Sequence, residues 1–317
     1  MTKILLVNFG GPREIDEVES FLRELLCDRD VIRTWFPNFF HNWFFGRIAR
    51  KRALKVSEDY EGIGGRSPIY FDTEALAAAL SSRLQTTVHT FHRYLPATHA
   101  ESLKQLETTE EIKVLPLFPQ FCYATTGSIA RFLSPYLPHQ LRWIKSYAGH
   151  PAFIRSYQKR IADFLIENEL KEEETVLLFS AHGVPKKFVD EGDPYQSECQ
   201  LSYSQVMKGF PKALGKLSYQ SKFGRGEWLR PYTDETCEQV LDWHEGRKNV
   251  VVIPISFTSD HIETLFEIEK LYLPIIAAKG IRAYRCPSLN LEPYWIDALI
   301  EILQETDLYG SKTLIRS

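Results

Sequence analysis

Five short runs of uninterrupted apolar residues recur along this chain: "KILLVNF" (3–9), "IKVLPLF" (112–118), "ETVLLFS" (174–180), "KLSYQS" (216–221) and "NVVVIPI" (249–255). A strand with one wet face alternates polar and apolar residues, whereas a continuous run fits a strand covered on both faces. Amphipathic stretches lie between the runs, at 72–84, 153–170 and 192–210. The last opens with Asp193 as a cap and Pro194 at the first helical position. Strand–helix alternation of this kind predicts α/β architecture with parallel sheets.

The chain also echoes itself. "LLVNFGGP" (5–12) resembles "LLFSAHGVP" (177–185), and "VLPL" (114–117) resembles "VIPI" (252–255). The marks stand about 34 residues further apart in the first half, an excess most of which the segment 33–56 supplies. Two similar Rossmann-like lobes follow, 1–148 and 149–317, the first carrying an insertion at about 33–56.

Composition excludes several classes. A net charge of −3 offers no global field for nucleic acid. The five cysteines (27, 122, 199, 237, 286) contain no C-x-x-C pair, which argues against a zinc knuckle or a disulfide framework and fits a cytoplasmic, reducing setting. No apolar run approaches the roughly 18–20 residues of a spanning helix. "GIGGRSP" (62–68) and "FGRGEW" (223–228) lack both the dinucleotide spacing and the P-loop lysine. Ser128 and Ser180 lack a nucleophile-elbow context.

Ligands of open parallel sheets bind beyond the carboxyl ends of strands. That rule picks out Phe9-Gly10-Gly11, "PQFCYATTGS" (119–128), His182, "KFGRGEW" (222–228) and "FTSDHIETLFEIEK" (257–270). His182 is placed to act as a base or a metal ligand near neutral pH, or simply to fill a turn. Asp260, Glu263 and Glu267 stand at spacings of three and four, which would stack three carboxylates on one helical face, where like charges repel. A capping box from Asp260 and Glu263 would explain two of them but neither Glu267 nor His261. A carboxylate row beside a histidine suits a cation in transit or a proton relay.

Segment 33–55 holds seven aromatics in Trp35–Phe45, followed by Arg47, Arg50, Lys51, Arg52 and Lys55. Aromatics followed by clustered cations read as an exposed lip that touches lipid or a large planar ligand. Arg66, Arg225 and Arg230 are candidates to hold ligand carboxylates.

"LLFSAHGVP", "GDPY", "LSYQSKFGRGEWLRPYTDET" and "VVIPISFTSDHIETLFEIE" together closely resemble the ferrochelatases, with "LLVNFGGP" and "PQFCYATTGS" matching the family's N-terminal half. The resemblance implies two α/β lobes with a porphyrin cleft between them, and insertion of Fe²⁺ into a porphyrin with no permanently bound cofactor. It implies catalytic and metal-contacting roles for His182 and Glu263, and an acidic relay of Asp260, His261 and Glu267. It implies porphyrin contacts at Phe9, Arg93, Tyr94, Tyr123 and Trp228, and membrane contact through Trp35–Phe45. The C-terminal "LQETDLYGSKTLIRS" has no cysteine, so no iron–sulfur cluster is expected, and a monomer is plausible. Phe9 stands where coproporphyrin-using members tend to place a tyrosine, which favours protoporphyrin IX. The expectation is therefore a cytoplasmic protohaem-forming enzyme, peripheral to the membrane. Coproporphyrin III as substrate, a chelatase for another metal and a non-catalytic porphyrin carrier are its rivals.

Overall fold

All five apolar runs become strands in the computed structural model, which describes residues 3–107, 110–224 and 226–316. The chain divides into two compact units, Met1–Ser146 with Leu303–Ser317, and Tyr147–Ile302.

The first unit holds β1 (Lys3–Asn8), β2 (Val88–His92), β3 (Ile112–Pro116) and β4 (Leu141–Trp143). The second holds β5 (Thr175–His182), β6 (Leu214–Gln220), β7 (Asn249–Ile253) and β8 (Arg282–Arg285). A last short strand, β9 (Tyr309–Gly310), returns to the first unit and pairs antiparallel with β4. The sheet orders are β2-β1-β3-β4-β9 and β6-β5-β7-β8. Within each unit the first four strands in sequence are all parallel and take the same spatial order, second-first-third-fourth. The sequence echo is therefore an echo of topology. The strands β2, β4 and β8 escaped the sequence reading because they are short and only partly buried, so their apolar runs are broken.

Helices cover both sheets. Pro68 opens Pro68–Leu84 and Pro151 opens Pro151–Glu167, each in the first turn where a missing N–H costs nothing. The third expected helix runs Tyr195–Met207. It begins one residue later than expected, with Pro194 as the cap and Asp193 Oδ1 accepting the Tyr195 N–H at 3.0 Å. The first core gathers Leu5, Val7, Phe91, Val114, Leu133 and Trp143; the second gathers Val176, Leu178, Val250, Val252, Ile268 and Ile276.

The aromatic segment forms a long helix, Asn38–Glu61. His41, Phe45, Ala49 and Ala53 recur every four residues on its buried side. Phe39, Trp43 and, just before the helix, Trp35 are exposed by 77%, 56% and 88%. Among the described residues no helix is long and apolar enough to cross a membrane.

The C-terminal segment folds back on the first unit because it supplies that unit's missing core. Leu314 is fully buried among Ile129, Leu133 and Trp143, and Trp143 Nε1 donates to Ser311 Oγ at 2.9 Å. Leu314 O presses on Gly127, where an added Cβ would lie only 2.7 Å away. Gly127→Ala is therefore expected to destabilise the protein by about 1–3 kcal/mol in a denaturant titration. Gly310→Ala, with open space around it, should be close to neutral.

Candidate active site

His182 ends β5, flanked by β6 and β7. Its backbone is held on both sides: its N–H donates to Ser256 Oγ at 2.9 Å, and its carbonyl accepts the Tyr195 hydroxyl at 2.9 Å. Next in the chain, Gly183 must be glycine, since a Cβ there would lie 2.7 Å from Gln220 O and 3.2 Å from the Trp228 ring. Trp228 thus packs beside the residue that follows His182.

The ring of His182 is oriented by a group that can only accept. Nδ1 lies 2.6 Å from Gly183 O, so Nδ1 carries hydrogen. The nitrogen free to gain or lose a proton is Nε2, which lies 3.4 Å from Glu263 Oε1. The other Glu263 oxygen lies 2.7 Å from His261 Nε2, and His261 Nδ1 faces Ser259 O at 3.0 Å. Two imidazoles therefore aim their titrating nitrogens at one carboxylate. The ring of Phe257 stands beside both, 6.1 Å from His182 and 4.6 Å from His261.

Electrostatics follow from that geometry. Burial alone would push the His182 imidazolium down, but Glu263 outweighs it and raises the pKa to about 9. Burial likewise disfavours charge on His261, and its hydrogen bond to Glu263 again reverses the sign. Glu263 is driven up by burial yet ends well below the usual carboxylate range, because both imidazoles favour its ionised form. Near pH 7 the resting centre is an imidazolium–carboxylate pair.

Glu263 opens a π-helix, Glu263–Tyr272. Pro274, just beyond it, has no N–H to continue an α-helical ladder, and π-turns are rare features that recur at functional sites. Glu267 lies within this helix. Its Oε2 accepts from Ser221 Oγ at 2.5 Å and from Gln220 Nε2 at 3.2 Å. Burial, and then the charge of Glu263, raise its pKa.

Asp260 stands elsewhere. The helix starts too late to carry it, and its carboxylate takes Arg285 Nη1 at 2.8 Å, Thr264 Oγ1 at 2.8 Å and Asn290 Nδ2 at 2.9 Å. The stacked row of three carboxylates expected from spacing is therefore a row of two, Glu263 and Glu267. The capping box is absent as well: the Asp260 N–H donates to Asn290 Oδ1, and the His261 N–H donates to Thr264 Oγ1.

A model of the ferrochelatase family matches residues 1–307. The chain belongs to the ferrochelatase family. A ferrochelatase of Chlamydia abortus is 46% identical over 99% of this chain and 98% of its own length. One of Chlamydia pneumoniae is 42% identical over 99% of this chain and 96% of its own. Among solved structures, SirB from Bacillus subtilis aligns with a TM-score of 0.54 at 13% identity, covering 96% of this chain and 95% of its own. CbiX, described as the terminal enzyme for siroheme biosynthesis in denitrifying bacteria, aligns at 0.52 and 16% identity over 75% of this chain and 92% of its own. These two show the shared fold. The family membership makes this chain an enzyme, a metal chelatase of haem biosynthesis that takes iron as substrate.

The remaining expected ferrochelatase positions lie in the first unit, apart from Trp228. Phe9 packs its ring 4.9 Å from Tyr94 and 4.7 Å from Phe118. Tyr94 is 0% exposed, with its hydroxyl 3.1 Å from Asp28 Oδ2, so it presents no surface to a ligand and braces Asp28 instead. Arg93 donates to the same oxygen at 3.0 Å and lies over the Phe132 ring. Tyr123 is partly buried in the first core at the start of a second π-turn, Tyr123–Gly127. Arg230 pairs with Glu235 and Arg66 stacks on Phe71, while Arg225 lies outside the described residues. Among the described residues, no three His, Cys, Asp or Glu converge as a metal site.

Sequence reasoning passed over Gln220, Ser221, Ser256, Phe257 and Tyr195. All five fall inside the motif segments quoted for the resemblance, but polar and aromatic residues there have no chemistry of their own to mark them. The buried Asp260–Arg285 pair makes a testable distinction. Burial would raise the Asp260 pKa, yet Arg285 and its other donors lower it. The stabilisation is thus full at neutral pH and is lost as pH falls through the range where Asp260 protonates. Asp260→Ala should cost about 3 kcal/mol, the low end for breaking a buried pair, because Glu269 stays on Arg285 at 2.7 Å. Chemical denaturation at neutral and acidic pH measures both effects.

Proposed function

We propose that this ferrochelatase inserts Fe²⁺ into protoporphyrin IX, with His182 taking protons from the pyrrole nitrogens. A free-base porphyrin carries two N–H protons in a stiff plane, so the metal enters only when the ring bends and the protons leave. Binding energy from the remote ring edges supplies the bend. The observation that carries the proposal is the convergence of two Nε2 atoms on Glu263. It gives a base, a carboxylate and a second base in one hydrogen-bonded line. His182 is the substrate end of that line, with 35% of its side chain exposed against 11% for His261. A proton taken at His182 Nε2 passes to Glu263 and on to His261, with Glu267 as a neighbouring acceptor. The same His182 Nε2 and Glu263 Oε1 are the donors that iron meets as it arrives.

Phe9 supports protoporphyrin IX, since a phenyl ring offers iron no oxygen. Tyr123 and Trp228 are the further ring contacts in this reading. The aromatic outer face of Trp35–Phe45 is the peripheral membrane contact, and the enzyme works as a monomer without an iron–sulfur cluster.

Anaerobic turnover with each porphyrin, followed by loss of porphyrin fluorescence, tests the substrate assignment: protoporphyrin IX should be the faster. Preference for coproporphyrin III would overturn it, and tight binding without turnover would point to a carrier. His182→Ala should abolish insertion while porphyrin still binds.

The charge pair predicts a pH response. Only neutral His182 can accept a proton, so kcat should rise with pH towards the pKa of about 9. Glu263→Gln removes the carboxylate that holds this value up. The acid limb should then move to lower pH even as the maximal rate falls. An unmoved limb would show that His182 is not the group being read.

A further inference from the structure

Ser221 has a backbone φ of +64°, in the left-handed region that costs an L-residue about 1 kcal/mol or more and that glycine adopts freely. The other non-glycine residues in that region among the described residues are Gln85, Glu169, Glu245 and Asn290. Gln85, Glu169 and Glu245 follow helix ends, where such a conformation is a common terminator, and asparagine tolerates it. Ser221 follows a strand, β6, and has neither excuse.

Its side chain gives the reason. Ser221 Oγ donates to Glu267 Oε2 at 2.5 Å, and the same oxygen takes Gln220 Nε2 at 3.2 Å. Gln220 also donates to Glu263 O at 2.9 Å and accepts from Ser180 Oγ at 2.6 Å, so this short segment ties the π-helix to β5. Glu267 is buried close to another carboxylate and would move away from it unless donors held it. With Oε2 taken by these donors, Oε1 is the oxygen left for exchange.

We infer that Ser221 is a positioning residue of the insertion reaction, whose hydroxyl holds Glu267 beside Glu263, and that the strained backbone is retained to aim that hydroxyl. The inference rests on the proposed role of Glu267 as a proton acceptor. Ser221→Ala keeps the strain and removes the hydroxyl, whereas Ser221→Gly removes both. Each should lower kcat by roughly ten- to a hundredfold, with KM for porphyrin changed by less than about twofold. Their stabilities should diverge: the alanine variant melts lower than the parent, and the glycine variant melts at or above the alanine one.

Rates that follow melting temperature, with Ser221→Gly restored to parental turnover, would overturn the inference and leave the hydroxyl a structural bond. Glu267→Gln, measured alongside, separates the two layers. If it retains full turnover, the role of Glu267 fails and the inference falls with it. If it is slow while both Ser221 variants are normal, only the positioning claim fails.

Discussion

The carboxylate of Glu263 is the interaction on which the second unit's chemistry depends. It is half of each of two contacts, one to His182 and one to His261, and each partner reverses the penalty that burial puts on the other's charge. Remove it and both imidazoles become neutral groups in a partly closed site. Keep it, and the site holds a proton on His182 at neutral pH. A base that starts protonated must hand that proton on before it can take another.

The scaffold exists to hold that carboxylate at the right place. His182 is fixed by a strand end with both backbone polar groups satisfied, and Glu263 by a π-turn whose carbonyl is taken by Gln220. Asp260 and Arg285 pin the start of the same segment to β8. The charged residues near the site therefore divide by task. Glu263 meets the imidazoles and Glu267 is held by Gln220 and Ser221, while Asp260 is spent on packing, paired and buried.

The fold was largely legible. A continuous apolar run has few solutions, and β1, β3, β5, β6 and β7 follow from it, as does the parallel order. The site was legible in composition but not in direction. Spacing of three and four put Asp260 with Glu263 and Glu267 only on the assumption that one α-helix carries all three. The helix begins after Asp260 and is wound as a π-helix, and no periodicity in the sequence announces either fact. The setting of Tyr94 was hidden for a related reason: its hydroxyl donates to Asp28, which lies 66 residues away in sequence. Hydrogen bonds across such distances leave no local mark.

The two units share a strand order and a π-turn after the third strand, yet their chemistry differs. In the first unit the turn is Tyr123–Gly127, without an ionisable acid or base beyond a tyrosine, and it packs against the returning C-terminal segment at Gly127 and Leu314. In the second unit the turn is twice as long and carries Glu263 and Glu267. A wide turn costs hydrogen-bond geometry, and it persists only where its surroundings hold it. The first unit holds its turn by packing. The second packs its turn through Ile268 and Tyr272 and adds polar bonds from Gln220 and Ser221 on the side that carries the carboxylates. A frame used twice can thus carry titrating groups on the turn of one copy, where Gln220 and Ser221 supply the donors that hold Glu267.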